Sequence, residues 1–225
     1  MKFSGLQKTS LADFPDRVAS VLFTPGCNLR CPFCHNWRIV VEPKPPFLNE
    51  EATLRILDER KGFVDSVVVS GGEPTIHRDL PRFLGKLKDR GFMIKLDTNG
   101  FNSQVLEECL PFVDFVALDV KTSLGKYGRL GAGDTGEFVR TVEMLKTGKV
   151  DYEFRATVVP GFVDAEDVPR IGELVRGARA FVFQQFVAGD TLDKSFGLVK
   201  PYSPECIMGF AESMQKYAEN VTLRV

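Results

Sequence analysis

The sequence contains little of what a membrane protein or a nucleic-acid-binding protein needs. No apolar run approaches the length of a membrane span, and the first residues have no apolar core of signal-peptide length. The 29 basic and 30 acidic residues give a formal net charge of -1, so the whole protein has no field that attracts nucleic acid or an anionic membrane. We therefore expect a cytoplasmic protein that binds neither nucleic acid nor a membrane.

Histidine and cysteine are also scarce. The two histidines, His35 and His77, are too few to favour an acid–base mechanism built on histidine. Of the five cysteines, Cys109 and Cys206 stand alone, and we interpret them as small buried hydrophobic residues. So few cysteines in 225 residues argue against a disulfide framework and fit a reducing compartment.

The other three cysteines, Cys27, Cys31 and Cys34, have the spacing C-x3-C-x2-C. Thiolates are the usual ligands of iron–sulfur clusters, and three of them would leave one iron of a [4Fe–4S] cluster open. An open coordination position is typical of a catalytic metal. Two alternatives stay open: a zinc site with His35 as fourth ligand, and an electron-carrying cluster, which normally needs a fourth cysteine. The spacing favours the open cluster, since adjacent Cys34 and His35 are awkward ligands of one tetrahedral ion.

Short apolar runs alternate with helical patterns along most of the chain, while residues 1–18 are expected to be irregular. Alternating strands and helices predict a parallel sheet with right-handed crossovers. Five polar motifs at strand ends need one common centre, which favours a barrel over an open sheet. We expect a single α/β domain over residues 1–225, a partial (β/α)6 TIM-like barrel that is open on one side. The predicted strands are 19–24, 66–69, 92–96, 112–118, 152–159, 180–183 and 221–225, and the predicted helices are 50–60, 80–90, 103–110, 137–146, 165–176 and 204–217.

Three of the strand-end motifs carry groups that suit a ligand. Gly71 and Gly72 would let a ligand approach the backbone, and Glu73 would receive an ammonium group. Asp97 and Asp119 follow the next two strands, and two such carboxylates repel each other unless a metal cation or a lysine lies between them. Taken singly, each motif is also compatible with an ordinary turn or helix cap.

Taken together and in order, the motifs resemble those of one family. The series Cys27-x3-Cys31-x-Phe33-Cys34, GGEP, DTNG, LDVK and VVPG is similar to that of the glycyl-radical-enzyme activating proteins of the radical S-adenosylmethionine (SAM) superfamily. The runs Ser10–Pro15 and Gly26–Asn36 most resemble the activators of anaerobic ribonucleoside-triphosphate reductase.

The resemblance implies a cofactor set and a reaction. It implies the barrel of the radical SAM type, one [4Fe–4S] cluster on three cysteines, and SAM chelated at the open iron. The reduced cluster would cleave SAM to methionine and a 5′-deoxyadenosyl radical, which would take a hydrogen atom from a backbone glycine of a partner enzyme. The implied partners are anaerobic ribonucleoside-triphosphate reductase and an electron donor of the flavodoxin or ferredoxin type.

The resemblance also implies roles for particular residues. Cys27, Cys31 and Cys34 would ligate the catalytic cluster. Asp13 and Arg155 match positions near the substrate backbone. The SAM contacts would be Phe33, Cys34, His35, Gly71, Gly72, Glu73, Asp97, Asn99, Asp119, Val120, Lys121, Thr122, Ser123 and Gln185. Positions that hold a monovalent cation in pyruvate formate-lyase activators are matched by Asp97, Thr98, Asp119 and the carbonyl of Ala117.

Two positions depart from the family pattern. Relatives of the formate-lyase type have a histidine where this chain has Gln185, and the usual Pro-Gly after the N-terminal aspartate is Pro15-Asp16 in this chain. The alternatives within the enzyme class are therefore an activator of a pyruvate formate-lyase-type enzyme or another small radical SAM enzyme. The alternative from another class is a zinc-stabilised binding module that uses the three cysteines and His35, but it leaves the strand-end motifs unexplained.

Overall fold

The structure is a computed structural model that describes residues 1–224, which form two compact units. Among these residues, no helix has both the length and the apolar character needed to cross a membrane. The expected single domain over residues 1–225 stays a prediction. The first unit consists of Met1–Cys27, Asn36–Thr98 and Asn102–Val116, and the second of Asn28–His35, Asn99–Phe101 and the residues from Ala117 onward.

The first unit contains six strands and four helices, and it shares a seventh strand with the second unit. Its long strands are ordered β2-β3-β5-β6 and then the start of β7. The pairs β3–β5 and β5–β6 are parallel, whereas β2 is antiparallel to β3. The elements are β1 (Lys2–Phe3), β2 (Gly5–Phe14), β3 (Arg17–Thr24), α1 (Trp37–Val41), β4 (Leu48–Asn49), α2 (Glu50–Arg60), β5 (Ser66–Gly71), α3 (Leu80–Asp89), β6 (Met93–Thr98), α4 (Ser103–Cys109) and β7 (Phe115–Asp119).

Local sequence explains where the helices of this unit begin and end. The Asn49 side chain accepts a hydrogen bond of 2.8 Å from the amide of Ala52, which caps α2. Gly91 follows α3 with a φ of +76° and donates its N–H to the carbonyl of Lys88. Both helices begin at the predicted residue.

The expectation that residues 1–18 are irregular was wrong. They form β1 and β2, and β2 joins β3 through a tight turn in which Asp16 has a φ of 58°. The strand is antiparallel and half of its residues are exposed, so its sequence, GLQKTSLADF, lacks the continuous apolar run that marks the buried strands.

The second unit continues the alternation of strands and helices. Its strand order is β7-β8-β9-β10, and both β8–β9 and β9–β10 are parallel. Phe154, Phe181 and Phe183 are fully buried in its core. The strand predicted at 221–225 begins earlier, at Ala218, and Val225 lies outside the described residues. The elements are α5 (Gly136–Thr147), β8 (Asp151–Val158), α6 (Asp167–Leu174), β9 (Ala178–Gln185), α7 (Pro204–Met214) and β10 (Ala218–Arg224).

Candidate active site

The cysteine loop, residues 25–36, follows the carboxyl end of β3 and leads into α1. Its three cysteines are thiols rather than disulfides. Cys31 is buried, whereas Cys27 and Cys34 are partly exposed. Cys27 belongs to the first unit, and Cys31 and Cys34 belong to the second.

In the first unit, the backbone before Cys27 is joined to the glycine motif after β5. The N–H of Gly72 donates to the carbonyl of Thr24 at 2.9 Å, and the N–H of Glu73 donates to that of Gly26 at 2.9 Å. A Cβ on Gly72 would lie 1.8 Å from the Gly26 carbonyl oxygen, and one on Gly71, whose φ is +110°, would lie 2.4 Å from the Thr24 nitrogen. The two glycines are therefore required by this close approach of two backbone segments.

The carboxylate of Glu73 is buried in the first unit and held by two threonines. Its Oε1 accepts hydrogen bonds from the hydroxyl of Thr75 at 2.6 Å, from the hydroxyl of Thr98 at 2.7 Å and from the amide of Thr75 at 3.0 Å. These bonds fix the orientation of the carboxylate, which suits a group that receives an ammonium.

Asp97, at the end of β6, is paired with Lys95, which is not among the predicted site residues. Its Oδ1 accepts a hydrogen bond of 2.5 Å from Nζ of Lys95, and its Oδ2 accepts one of 3.1 Å from the hydroxyl of Ser70. The Lys95 side chain is only 2% exposed. Because side chains alternate along a strand, the spacing Lys-x-Asp places both residues on one face, and that spacing was a signal available in the sequence.

In the second unit, the cysteine loop is held by a segment that follows β9. The amide of Leu192 donates to the carbonyl of Cys34 at 3.1 Å, and the amide of Asp193 donates to that of Pro32 at 2.8 Å. The ring of Phe33 lies 5.0 Å from that of Phe162. These contacts fix the loop backbone on both sides of Phe33.

His35 and Gln185 also have partners within the second unit. The ring centroid of His35 lies 6.2 Å from that of Phe186. The side-chain Nε2 of Gln185 donates to the backbone carbonyl of Phe186 at 3.2 Å and to that of Tyr202 at 3.3 Å. Gln185 therefore fixes the backbone after β9, and a contact with SAM stays a prediction.

Asp119, at the end of β7, is neutralised by two basic side chains of the second unit. Nε of Arg155 donates to its Oδ1 at 2.7 Å, and Nζ of Lys121 donates to its Oδ2 at 3.1 Å. Burial alone would raise the pKa of Asp119, but the charges and hydrogen bonds of Arg155 and Lys121 hold it well below its usual range. Arg155, expected on the substrate side, thus pairs with a residue expected to contact SAM.

The residues after Asp119 are buried and hydrogen-bonded inside the second unit. The hydroxyl of Thr122 donates to the carbonyl of Phe162 at 2.6 Å, and that of Ser123 donates to the carboxylate of Asp167 at 2.7 Å. Asp167 is fully buried, and its other oxygen lies 2.5 Å from Nζ of Lys126.

Backbone contacts complete this segment. The amide of Val120 donates to the carbonyl of Arg155 at 2.8 Å, and the amide of Lys121 donates to the hydroxyl of Tyr127 at 3.1 Å. Burial raises the pKa of that hydroxyl above its usual range, so it is a neutral partner. The backbone amides of Val120 and Lys121 are therefore both hydrogen-bonded within the second unit.

The remaining predicted residues have local partners. The side-chain Nδ2 of Asn99 donates to the side-chain oxygen of Asn28 at 2.7 Å. This hydrogen bond attaches Asn99 to the cysteine loop within the second unit. Asp13 accepts a hydrogen bond of 2.5 Å from the hydroxyl of Ser10 in the first unit, and Ala117 is fully buried in β7. The roles assigned to these residues stay predictions.

Comparison with known proteins agrees with the motifs. A model of the radical SAM superfamily matches residues 21–175. A protein of Methanocaldococcus jannaschii whose name describes a glycyl-radical enzyme activating enzyme is 32% identical over 230 residues, covering 98% of this chain and 95% of that protein. The pyruvate formate-lyase-activating enzyme of Staphylococcus aureus is 31% identical over 171 residues, covering 69% of this chain and 68% of the relative.

A solved structure supports the fold alone. SuiB of Streptococcus suis, determined with S-adenosylmethionine, has a TM-score of 0.70 at 17% identity, and the match covers 91% of this chain and 52% of that chain. The expected α/β fold with a mostly parallel sheet, as in the partial barrels of radical SAM proteins, is thereby confirmed. The chain belongs to the radical SAM superfamily and is a homologue of its glycyl-radical-enzyme activating enzymes.

Proposed function

We propose that this protein generates a glycyl radical on anaerobic ribonucleoside-triphosphate reductase. Radical SAM proteins use a [4Fe–4S] cluster and SAM, and relatives of this chain are named as activators of glycyl radical enzymes. The particular target is supported by the runs Ser10–Pro15 and Gly26–Asn36, which most resemble activators of that reductase.

The cysteine loop fits the cluster in its donor set. Three thiols on one loop supply three thiolate ligands, and a four-iron cluster then keeps one iron for another ligand. When bound, the cluster supplies the electron that cleaves SAM to methionine and a 5′-deoxyadenosyl radical. Cys27, Cys31 and Cys34 would hold the cluster.

One observation carries the proposed SAM chemistry: the glycine motif, Gly71 to Glu73, is hydrogen-bonded to the backbone that directly precedes Cys27. Gly72 and Glu73 donate to the carbonyls of Thr24 and Gly26, so the first cluster ligand and the predicted ammonium acceptor have a fixed relation within the first unit. SAM held by its methionyl end would need such a relation, because Glu73 and the cluster ligands would then act on the same end of the molecule. Glu73 would receive that amino group.

The segment after β7 would bind the ribose and carboxylate side of SAM. Arg155 and Lys121 neutralise Asp119 and would place two positively charged groups beside the predicted SAM carboxylate. Thr122 and Ser123 would hold the segment in place through their bonds to Phe162 and Asp167. Phe33 and His35 would lie against the adenine.

A second target has its own support. The 31% identity to a pyruvate formate-lyase-activating enzyme favours an activator of a formate-lyase-type enzyme. Against it stands Gln185, which replaces the histidine of those relatives and donates to two backbone carbonyls. The reductase is therefore the target that we propose.

The proposal is tested by anaerobic purification, reconstitution with iron and sulfide, and reduction by dithionite in the presence of SAM. We expect a brown protein that releases 5′-deoxyadenosine. We also expect the glycyl-radical EPR doublet on anaerobic ribonucleoside-triphosphate reductase and none on pyruvate formate-lyase. The reverse pattern would make the second target correct.

Two variants separate the cluster ligands from the other cysteines. Cys31→Ala should lose the cluster and the release of 5′-deoxyadenosine. Cys206→Ala should keep both, since Cys206 lies outside the motif; it is partly exposed and not buried as expected, unlike Cys109. One zinc per chain with no iron would refute the enzyme and support the zinc-stabilised module.

The electron donor needs its own assay. Replacing dithionite by a reduced flavodoxin or ferredoxin should sustain the release of 5′-deoxyadenosine. If neither protein does so, a donor of another class is required.

A further inference from the structure

The first unit contains a buried lysine at the place where the family resemblance suggested a metal cation. Lys95 is 1% exposed, and lysine is almost never so deeply buried unless it is paired. Its partner is the carboxylate of Asp97, at 2.5 Å. A buried ammonium and a buried carboxylate in hydrogen-bond contact neutralise each other.

The Asp97 carboxylate has donors on both oxygens. Lys95 donates to Oδ1, and the hydroxyl of Ser70 donates to Oδ2 at 3.1 Å. A metal ion bound to this carboxylate would either displace the ammonium or lie beside it. If the metal ion displaces the ammonium, Lys95 becomes a buried charge without its partner. If the metal ion lies beside the ammonium, two positive charges are close together where there is little water to screen them.

The second acid of the expected cation site is also neutralised. In the second unit, both oxygens of Asp119 accept from basic side chains, those of Arg155 and Lys121. A cation bound to this carboxylate would therefore have to displace one of the two basic groups or lie beside both of them.

We infer that the ammonium of Lys95 takes the place of a monovalent metal ion, so that this protein requires neither K⁺ nor Na⁺. The expected cation site at Asp97, Thr98, Ala117 and Asp119 does not fit these contacts. The SAM-cleavage readout of the test rests on the proposed function, whereas the unfolding readout does not.

The test compares salts at equal ionic strength: KCl, NaCl and choline chloride. Equal ionic strength keeps charge screening constant, so that only specific ion binding differs. The melting temperature of the wild type, and its rate of 5′-deoxyadenosine release after reconstitution, should be the same in the three salts. A melting temperature or a rate that rises in KCl or NaCl over choline chloride overturns the inference.

The variant Lys95→Met removes the ammonium and keeps the length of the side chain. In choline chloride its melting temperature should fall by roughly 10 °C, because Asp97 loses its buried partner. KCl or NaCl should restore part of the loss, since a metal ion can then bind Asp97. A Lys95→Met protein as stable as the wild type in choline chloride overturns the inference.

Two further variants serve as controls. Lys88→Met breaks a Lys–Asp pair of 2.6 Å in the same unit whose lysine is 40% exposed, so it should show a small effect that is the same in all three salts. If Lys95→Met does not fold, Lys95→Met/Asp97→Asn removes both charges and should fold without salt preference. A double variant that is stabilised by KCl or NaCl overturns the inference.

If the wild type releases no 5′-deoxyadenosine in any salt, the proposed function fails while the melting temperatures still decide this inference.

Discussion

The two strand ends that carry most of the predicted SAM contacts are fixed in different ways. After β5, in the first unit, Gly72 and Glu73 are held by hydrogen bonds between two backbone segments, whose close approach leaves no space for a side chain at Gly71 or Gly72. After β7, in the second unit, Asp119 and Ser123 are held by side chains of opposite charge and by a buried carboxylate. The first end should therefore be sensitive to the size of a substituted residue, and the second to its charge.

The largest effect is expected for Gly72→Ala. Its Cβ would lie 1.8 Å from the carbonyl oxygen of Gly26, and a backbone atom cannot move aside as the end of a side chain can. We expect a loss of about 3 kcal/mol or more in the free energy of unfolding, together with loss of iron after reconstitution. Urea denaturation of the apoprotein measures the first and iron analysis the second.

Gly62→Ala is the matched control, since nothing lies within 4 Å of a Cβ at that position in the same unit. It should leave the urea midpoint nearly unchanged. An apoprotein of Gly72→Ala that is as stable as the wild type would show that Gly72 acts on the ligand alone, and the proposed contrast would then be wrong.

The next effect is expected for Asp167→Asn, which keeps the shape of a buried side chain and removes its charge. Lys126 loses its partner at 2.5 Å but keeps Asp164 at 3.2 Å, so we expect a loss of about 2 kcal/mol in the free energy of unfolding. The same change loosens Ser123 and should raise the KM for SAM more than it lowers kcat.

Glu166→Gln is the control for that variant. Glu166 lies 3.6 Å from the same Lys126, but its side chain is 67% exposed. It should be close to neutral in both measurements. Equal effects of the two substitutions would mean that charge at this strand end acts at long range rather than through the buried contact.

A third substitution, Gly197→Ala, tests whether the second unit is also sensitive to the size of a residue. A Cβ at Gly197 would lie 2.7 Å from the carbonyl oxygen of Gly189, within the segment whose amides bind the carbonyls of Pro32 and Cys34. The overlap is smaller than at Gly72, where the corresponding distance is 1.8 Å, so we expect Gly197→Ala to cost about 1.5 kcal/mol in the free energy of unfolding. It should expose Cys34 in the apoprotein, which the rate of alkylation followed by mass spectrometry will measure.

Gly133→Ala provides the comparison for this variant, because a Cβ there has nothing within 4 Å. Alkylation of Cys34 should be faster in Gly197→Ala than in Gly133→Ala. Equal rates would indicate that the segment does not support the cysteine loop.

The smallest effect concerns a charged group of the first unit that lies away from the strand ends. Burial alone would raise the pKa of Glu50, but hydrogen bonds from Arg82, Lys86 and the Met1 amine lower it to about 2. A depressed carboxylate pKa stabilises the fold above about pH 4.5, and the contribution is lost as the pH falls from there toward 2. The pairs are near the surface, so we expect about 1 kcal/mol. Urea midpoints of wild type and Glu50→Gln should differ at pH 6 and converge near pH 2; a constant difference would contradict this assignment.

The sequence was informative where the cause of a structure lies close along the chain. Asn49 caps the start of α2, and Gly91 follows the end of α3, so these helix ends could be predicted from neighbouring residues. The strand-end motifs could be predicted because each consists of a few consecutive residues. The β2 strand was missed, since its pairing with β3 is antiparallel and exposed, and its residues do not form an apolar run.

The hydrogen bonds that hold the site residues in place could not be predicted from the sequence, because their partners are distant along the chain. The residues around Ser123 do not indicate its bond to Asp167. Those around Cys34 do not indicate its bond to the backbone amide of Leu192, which any residue except proline would supply. Lys95 differs: its partner is two residues away, and a charged residue inside a buried strand is itself a signal.

The hydrogen bonds that Leu192 and Asp193 donate to the cysteine loop have a consequence for biogenesis. A ribosome makes the cysteines well before these two residues, so the nascent loop leaves the exit tunnel before the segment that fixes it. Until then the carbonyls of Pro32 and Cys34 are without these two donors. Iron delivered to the growing chain before that point would meet a loop without its final shape, and the cluster should therefore be inserted only after Leu192 and Asp193 have been made.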